Sequence, residues 1–160
     1  MRALIPILFA FAAAANADQI MVNLDSTTLS GGPGVELMFT GTLTNTTADT
    51  LFINSDSFTF QITGALDDSP FLTNAPISID AGLTSGDFEM FDINIPVSEP
   101  PGTYIGTFTV LGGSDGSVLS NLGSASFSVN VATPEPASYL LLGASLAFLL
   151  GRRHLRLLSR

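Results

Sequence analysis

The sequence predicts an all-β sandwich, and three observations carry that reading. From Gln19 to Val131 apolar residues recur with period two, the repeat of a strand with one buried face. Clusters of Gly, Pro, Asn, Asp and Ser interrupt the alternation roughly every eight to twelve residues, as sandwiches and barrels require. No stretch between those limits has the 3.6-residue period of an amphipathic helix, so no helix is expected there.

Taken in order, Val35, Leu37, Phe39, Gly41 and Leu43 alternate with Glu36, Met38, Thr40, Thr42 and Thr44 before Asn45-Thr46-Thr47-Ala48-Asp49 turns the chain. Phe58, Phe60 and Ile62 oppose Ser57, Thr59 and Gln61. Phe91, Ile93 and Ile95 alternate with Asp92 and Asn94 up to Pro96. Tyr104, Gly106, Phe108 and Val110 share a face, Gly112-Gly113-Ser114-Asp115-Gly116 turns, and Ala125, Phe127, Val129 and Val131 close the sheet as the second arm of a terminal hairpin. Each strand is expected to keep one wet face. Seven or more short strands, with Tyr104 directly after Pro100-Pro101-Gly102-Thr103, resemble an immunoglobulin-like sandwich in which Tyr104 makes the tyrosine corner. A jelly roll or a related antiparallel sandwich fits the same pattern.

The two ends differ in kind from this middle. Met1-Arg2, an apolar run from Ala3 to Ala15 and then Ala15-Asn16-Ala17 before Asp18 have the charged, apolar and small-residue layout of a secretory signal peptide cut after Ala17. At the other end Pro134-Glu135-Pro136 precedes an apolar segment from Ala137 to Gly151, followed at once by Arg152, Arg153, His154 and Arg156. The prolines fix φ and remove donors, which keeps the strip before the segment extended. A helix over 137–151 rises roughly 22 Å, short of a ~30 Å hydrocarbon core, so Leu155, Leu157 and Leu158 or a thinned bilayer must help it to span. The arginines hold the C-terminal tail in the cytoplasm, as Arg2 does for the signal peptide, and this leaves the middle on the far side. The domains expected are therefore 1–17, signal peptide, 18–132, sandwich, and 133–160, sorting signal.

The Pro134-Glu135-Pro136 triplet, the apolar segment and the basic tail, in that order, resemble the PEP-CTERM sorting signals of Gram-negative bacteria that make exopolysaccharide. The segments Gly41 to Thr46, Asn54 to Phe58 and Pro101 to Phe108 also look like stretches that recur in uncharacterised proteins of that kind. The resemblance implies export by signal peptidase processing, membrane anchoring, and recognition by an exosortase that cuts near residues 134–136, leaving the domain at the cell surface or in an extracellular biofilm matrix with polysaccharide as a partner.

Charge narrows what the domain does there. Of 14 acidic residues only Glu135 lies outside 18–133, leaving 13, and since all five arginines and lysines and the one histidine sit at the ends, the formal charge of that span is −13. With no Lys or Arg to displace counterions, nucleic acid is excluded as a partner. Cysteine is absent, which removes disulfides and thiolate metal sites. Without His, Cys, Lys or Arg the domain cannot build a triad, a thiolate nucleophile or a Schiff base, so no catalytic residue and no enzyme is expected. A carboxylate pair among Glu36, Glu89, Glu99 and the aspartates would permit a hydrolase, but the domain has no Trp and one Tyr with which to stack sugar rings.

Calcium is the one candidate cofactor. It wants six to eight hard oxygen ligands, and Asp67 and Asp68 with Asp56, joined by Asp80 or Asp87, are the candidate ligands, although no EF-hand spacing is present. Gly112 to Gly116 lacks the Lys and the following helix of a phosphate loop, and Asn45-Thr46-Thr47 is read as a turn. The reading that results is a surface or matrix structural protein. The alternative is a Ca²⁺-dependent or carbohydrate-binding module.

Overall fold

In the computed structural model, which describes residues 18–133, two sheets face each other. The elements run β1 (Ile20–Leu24), β2 (Thr28–Gly31), β3 (Glu36–Asn45), β4 (Leu51–Phe60), β5 (Leu66–Asp67), α1 (Ser69–Asn74), β6 (Ser78–Ile79), β7 (Phe88–Asn94), β8 (Gly102–Gly113) and β9 (Ser120–Val131). One sheet has the order β1-β3-β7-β5 and the other β2-β9-β8-β4-β6. With β3, β7, β4, β8 and β9 as the long strands, this is the arrangement of an immunoglobulin-like sandwich. The first strand is split between the sheets: Ser26 Oγ donates to Thr28 O at 2.7 Å where the chain crosses over.

The alternation sets the register. Phe39 lies opposite Phe91 across β3 and β7, and Phe108 opposite Phe58 across β8 and β4. Phe91 is the hub: its ring stacks on Phe39 at 4.7 Å and on Phe108 at 4.8 Å, and Phe127 tilts against it at 4.8 Å. Such pairs add about 0.5–1.5 kcal/mol each beyond their buried area, so an aromatic stack does here what the disulfide and tryptophan do in antibody domains.

Tyr104 lies at the start of β8 and its hydroxyl donates to Pro100 O at 2.8 Å, the tyrosine corner expected from the sequence. Tyr104→Phe removes the hydroxyl that makes this bond and is expected to lower the urea midpoint at unchanged slope.

Three expectations need correction. A six-residue helix is present, α1. Pro70 suits its first turn, and the Asp67 carboxylate accepts from Ser69 N at 3.0 Å and Ser69 Oγ at 2.6 Å just before it. One side chain justifies it: Phe71 is 2% exposed and packs edge-on against Phe108 at 5.2 Å. Second, β9 does not close its sheet, because β2 pairs parallel to it from Thr28↔Ser128 to Gly31↔Val131. Third, Asp92 lies on the outward face of β7 yet is 8% exposed.

No helix among the described residues is long and apolar enough to cross a membrane. The expected signal helix (1–17) and C-terminal transmembrane segment (137–151) lie outside the described residues.

Candidate functional site

The residues of the sorting signal, Pro134, Glu135, Pro136, Arg152, Arg153 and Arg156, and the cleavage residues Ala15 and Ala17 also lie outside the described residues. What is described is their surroundings. β9 runs to Val131, and Ala132 N donates to Gly31 O at 2.8 Å, so the sandwich continues up to the edge of the sorting signal with no intervening linker.

The three calcium candidates do not converge as a set. Asp56, on β4, points to the inner side of its sheet, because it pairs with fully buried Val110. Burial, with the Asp68 carboxylate nearby, pushes its pKa up to about 6, and its Oδ2 is buried without a hydrogen-bond partner. Asp67 belongs to the other sheet, opposite Asp92, and the Ser69 bonds hold its carboxyl below the usual range. The structure thus brings Asp56 toward Asp68 and sends Asp67 elsewhere. Asp80 is engaged by the Thr50 hydroxyl at 2.9 Å. Among the described residues no group of three or more His, Cys, Asp or Glu stands where it could hold a metal ion.

A second acidic cluster was not anticipated. Glu36, Glu89 and Asp67 surround Asp92 on the outer face of the four-stranded sheet. Burial first, then the neighbouring Glu89 carboxyl, raises the Asp92 pKa, and Asp92 Oδ1 is buried without a partner. The alternation alone gave Asp92 a wet face; only the pairing of β5 beside β7 covers it.

These two carboxyls set an unusual pH dependence. A carboxyl whose pKa is higher in the folded than in the unfolded state binds protons more tightly when folded. Its contribution to stability is fully present below the unfolded value of 3.8 and is lost as pH rises through about 6. Asp67 and Asp115, lowered by hydrogen bonds from Ser69 and Ser117, act oppositely, and their contribution disappears as pH falls below 3.8. The melting temperature is therefore expected to be higher at pH 5 than at pH 8, with Asp92→Asn raising it at pH 8 and reducing the difference. A melting temperature that climbs steadily from pH 5 to pH 8 contradicts this assignment.

An uncharged groove of about 590 Å³ lies on the outer face of the five-stranded sheet. Its middle row is Ser126 opposite Thr107 opposite Thr59, bounded by Thr28, Gln61 and Ile105. Gly106 makes its floor: a Cβ there would lie 2.4 Å from the Phe127 ring, so only glycine lets that ring sit beneath β8. No carboxylate lines the groove, and a second one of about 360 Å³ carries only Asp49.

Comparison with protein families finds the PEP-CTERM protein-sorting motif at residues 132–156. No curated protein matches the chain by sequence. Among solved structures it is similar to a family 123 glycoside hydrolase from Clostridium perfringens, with 13% identity and a TM-score of 0.46 over 72% of this chain and 27% of that one. It is also similar to the native α-2-macroglobulin of E. coli, with 17% identity and a TM-score of 0.46 over 74% of this chain and 7% of that one. The chain spans less than a third of the length of either. With the sandwich ending at Val131 and the motif beginning at residue 132, this is a protein that carries a PEP-CTERM sorting motif, the address of a chain exported and sorted to the cell surface.

Proposed function

We propose that this chain is a non-catalytic structural or interaction protein of the cell surface or exopolysaccharide matrix. Its signal peptide starts export, its C-terminal segment holds it in the inner membrane, and an exosortase removes the tail near Pro134 to Pro136. The observation that carries the reading is the sorting motif at residues 132–156 directly behind a folded acidic sandwich. The charge of −13 on residues 18–133 suits a role outside the cell, where it keeps copies soluble and apart.

The test is the mass of the surface-located protein. Loss of the segment after the Pro-Glu-Pro triplet in exosortase-positive cells, and its retention in exosortase-negative cells or after Glu135→Ala, supports the proposal. An intact tail in exosortase-positive cells overturns it.

A second reading, a Ca²⁺-dependent module, draws on the closeness of Asp56 and Asp68 and the unpartnered Asp56 Oδ2. It requires a higher melting temperature in millimolar Ca²⁺ than in EGTA, and equal values dispose of it.

A further inference from the structure

The outer face of the five-stranded sheet departs from the rest of the domain in one respect: it has no charge. Across β2, β9, β8 and β4 the outward positions form a grid, with Thr28 opposite Ser128, Ser126 opposite Thr107 opposite Thr59, and Ser124 opposite Thr109 opposite Ser57. The hydroxyls at the margins are bonded to one another, Thr28 to Ser128 at 2.8 Å and Thr109 to Ser124 at 2.9 Å. The central row of Ser126, Thr107 and Thr59 makes no such pairs, and each hydroxyl there keeps one donor and two acceptor sites for a ligand. Gln61 Oε1 accepts from Ile105 N at 2.7 Å, which leaves its NH₂ as a free donor at the groove's end. Ile105, 60% exposed, adds an apolar surface beside them.

We propose that this groove is a binding site for a neutral polysaccharide chain. The inference deepens the surface and matrix reading above by naming a ligand class and the surface that takes it. A ligand that matches a row of uncharged donor-acceptor groups beside an apolar side chain is one whose own surface is hydroxyls and C–H faces. Charge selects among the polymers that meet this description. The domain's 13 carboxylates repel polyuronates and other anionic chains and oppose a second copy of the domain, whereas a neutral chain meets neither penalty on a face without carboxylates. Because the groove has no tryptophan platform, single-site binding is weak and many copies along one polymer are needed for firm attachment.

The test is affinity electrophoresis of the full-length chain in mild detergent, in native gels that contain hydroxyethyl cellulose, dextran or galactomannan, with alginate as the anionic polymer and EGTA throughout. Retardation by at least one neutral polymer and none by alginate is expected. Thr107→Val and Ser126→Ala each weaken the retardation about five- to tenfold, the worth of one hydrogen bond. Thr42→Val, on the opposite sheet, leaves it unchanged, and melting curves show all three variants folded.

Absence of retardation by every neutral polymer, retardation by alginate instead, or equal binding by wild type, Thr107→Val and Ser126→Ala overturns the proposal. Concentration-dependent self-association in place of retardation overturns it in favour of a second copy as occupant. None of these outcomes bears on tail removal in cells, so the sorting reading stands or falls separately.

Discussion

Phe108→Ala is expected to destabilise the domain by about 3–5 kcal/mol, read as a shift in the urea midpoint at unchanged slope. Phe108 has no exposed surface, its ring stacks on Phe91 at 4.8 Å, and Phe71 meets it edge-on at 5.2 Å. Removing it leaves a cavity between the two sheets and takes from α1 the surface that Phe71 packs against. The stack has few ways to collapse into the space, because Phe91 is held from the other side by Phe39 and Phe127. Phe108→Leu, which keeps most of the volume, is expected to cost clearly less. A loss below 1 kcal/mol for the alanine variant contradicts the view of Phe91 and Phe108 as the centre of the core.

Asn45→Ala is the second large effect, about 2–4 kcal/mol. Asn45 is completely buried at the end of β3. Its Nδ2 donates to Asp49 O and to Ile79 O, both at 2.8 Å, and its Oδ1 accepts from Thr47 N at 2.9 Å and Thr47 Oγ1 at 2.8 Å. Three of these four hydrogen bonds organise the β3–β4 turn and the fourth, to Ile79 O, ties it to β6, and alanine removes all of them. Asn45→Asp is a sharper test: it restores the acceptor without the donor and buries a charge, so it is expected to cost at least as much as alanine at pH 8 and to recover partly at pH 4. If Asn45→Ala unfolds at the wild-type midpoint, the network has no structural weight.

How much of this was legible beforehand depends on range along the chain. The faces of β3, β7, β8 and β9 follow from alternation at Phe39, Phe91, Phe108 and Phe127, and the turn at Asn45 follows from its residue types. The tyrosine corner was legible because a local sequence, Pro100 to Tyr104, makes a local bond. The helix α1 was not, since six residues are too few to establish a period and its reason, Phe71, acts only through the distant Phe108. The burial of Asp92 likewise arises from a neighbour supplied by β5. The groove is intermediate. Each of Thr59, Thr107 and Ser126 reads as a wet position, but their alignment into one row needs pairings across 48 and 19 residues of chain, from 59 to 107 and from 107 to 126. The candidate calcium ligands are divided by the fold for the complementary reason. Asp67 and Asp68 are adjacent in sequence, yet Asp67 pairs in β5 while Asp68 stands at the residue before α1, with no capping bond from its side chain.

The position of β9 has a mechanical meaning. The strand nearest the membrane tether is an inner one, paired with β8 on one side from Gly102↔Val131 to Gly112↔Ser120 and with β2 on the other through Gly31↔Val131. A pull on the tether along the strand reaches Val131 first, where both neighbours already grip. Force along the strand must slide β9 past both partners at once, loading the backbone bonds in parallel rather than peeling them open one after another. A domain pulled from the end of β9 is thus built to resist shear at that end.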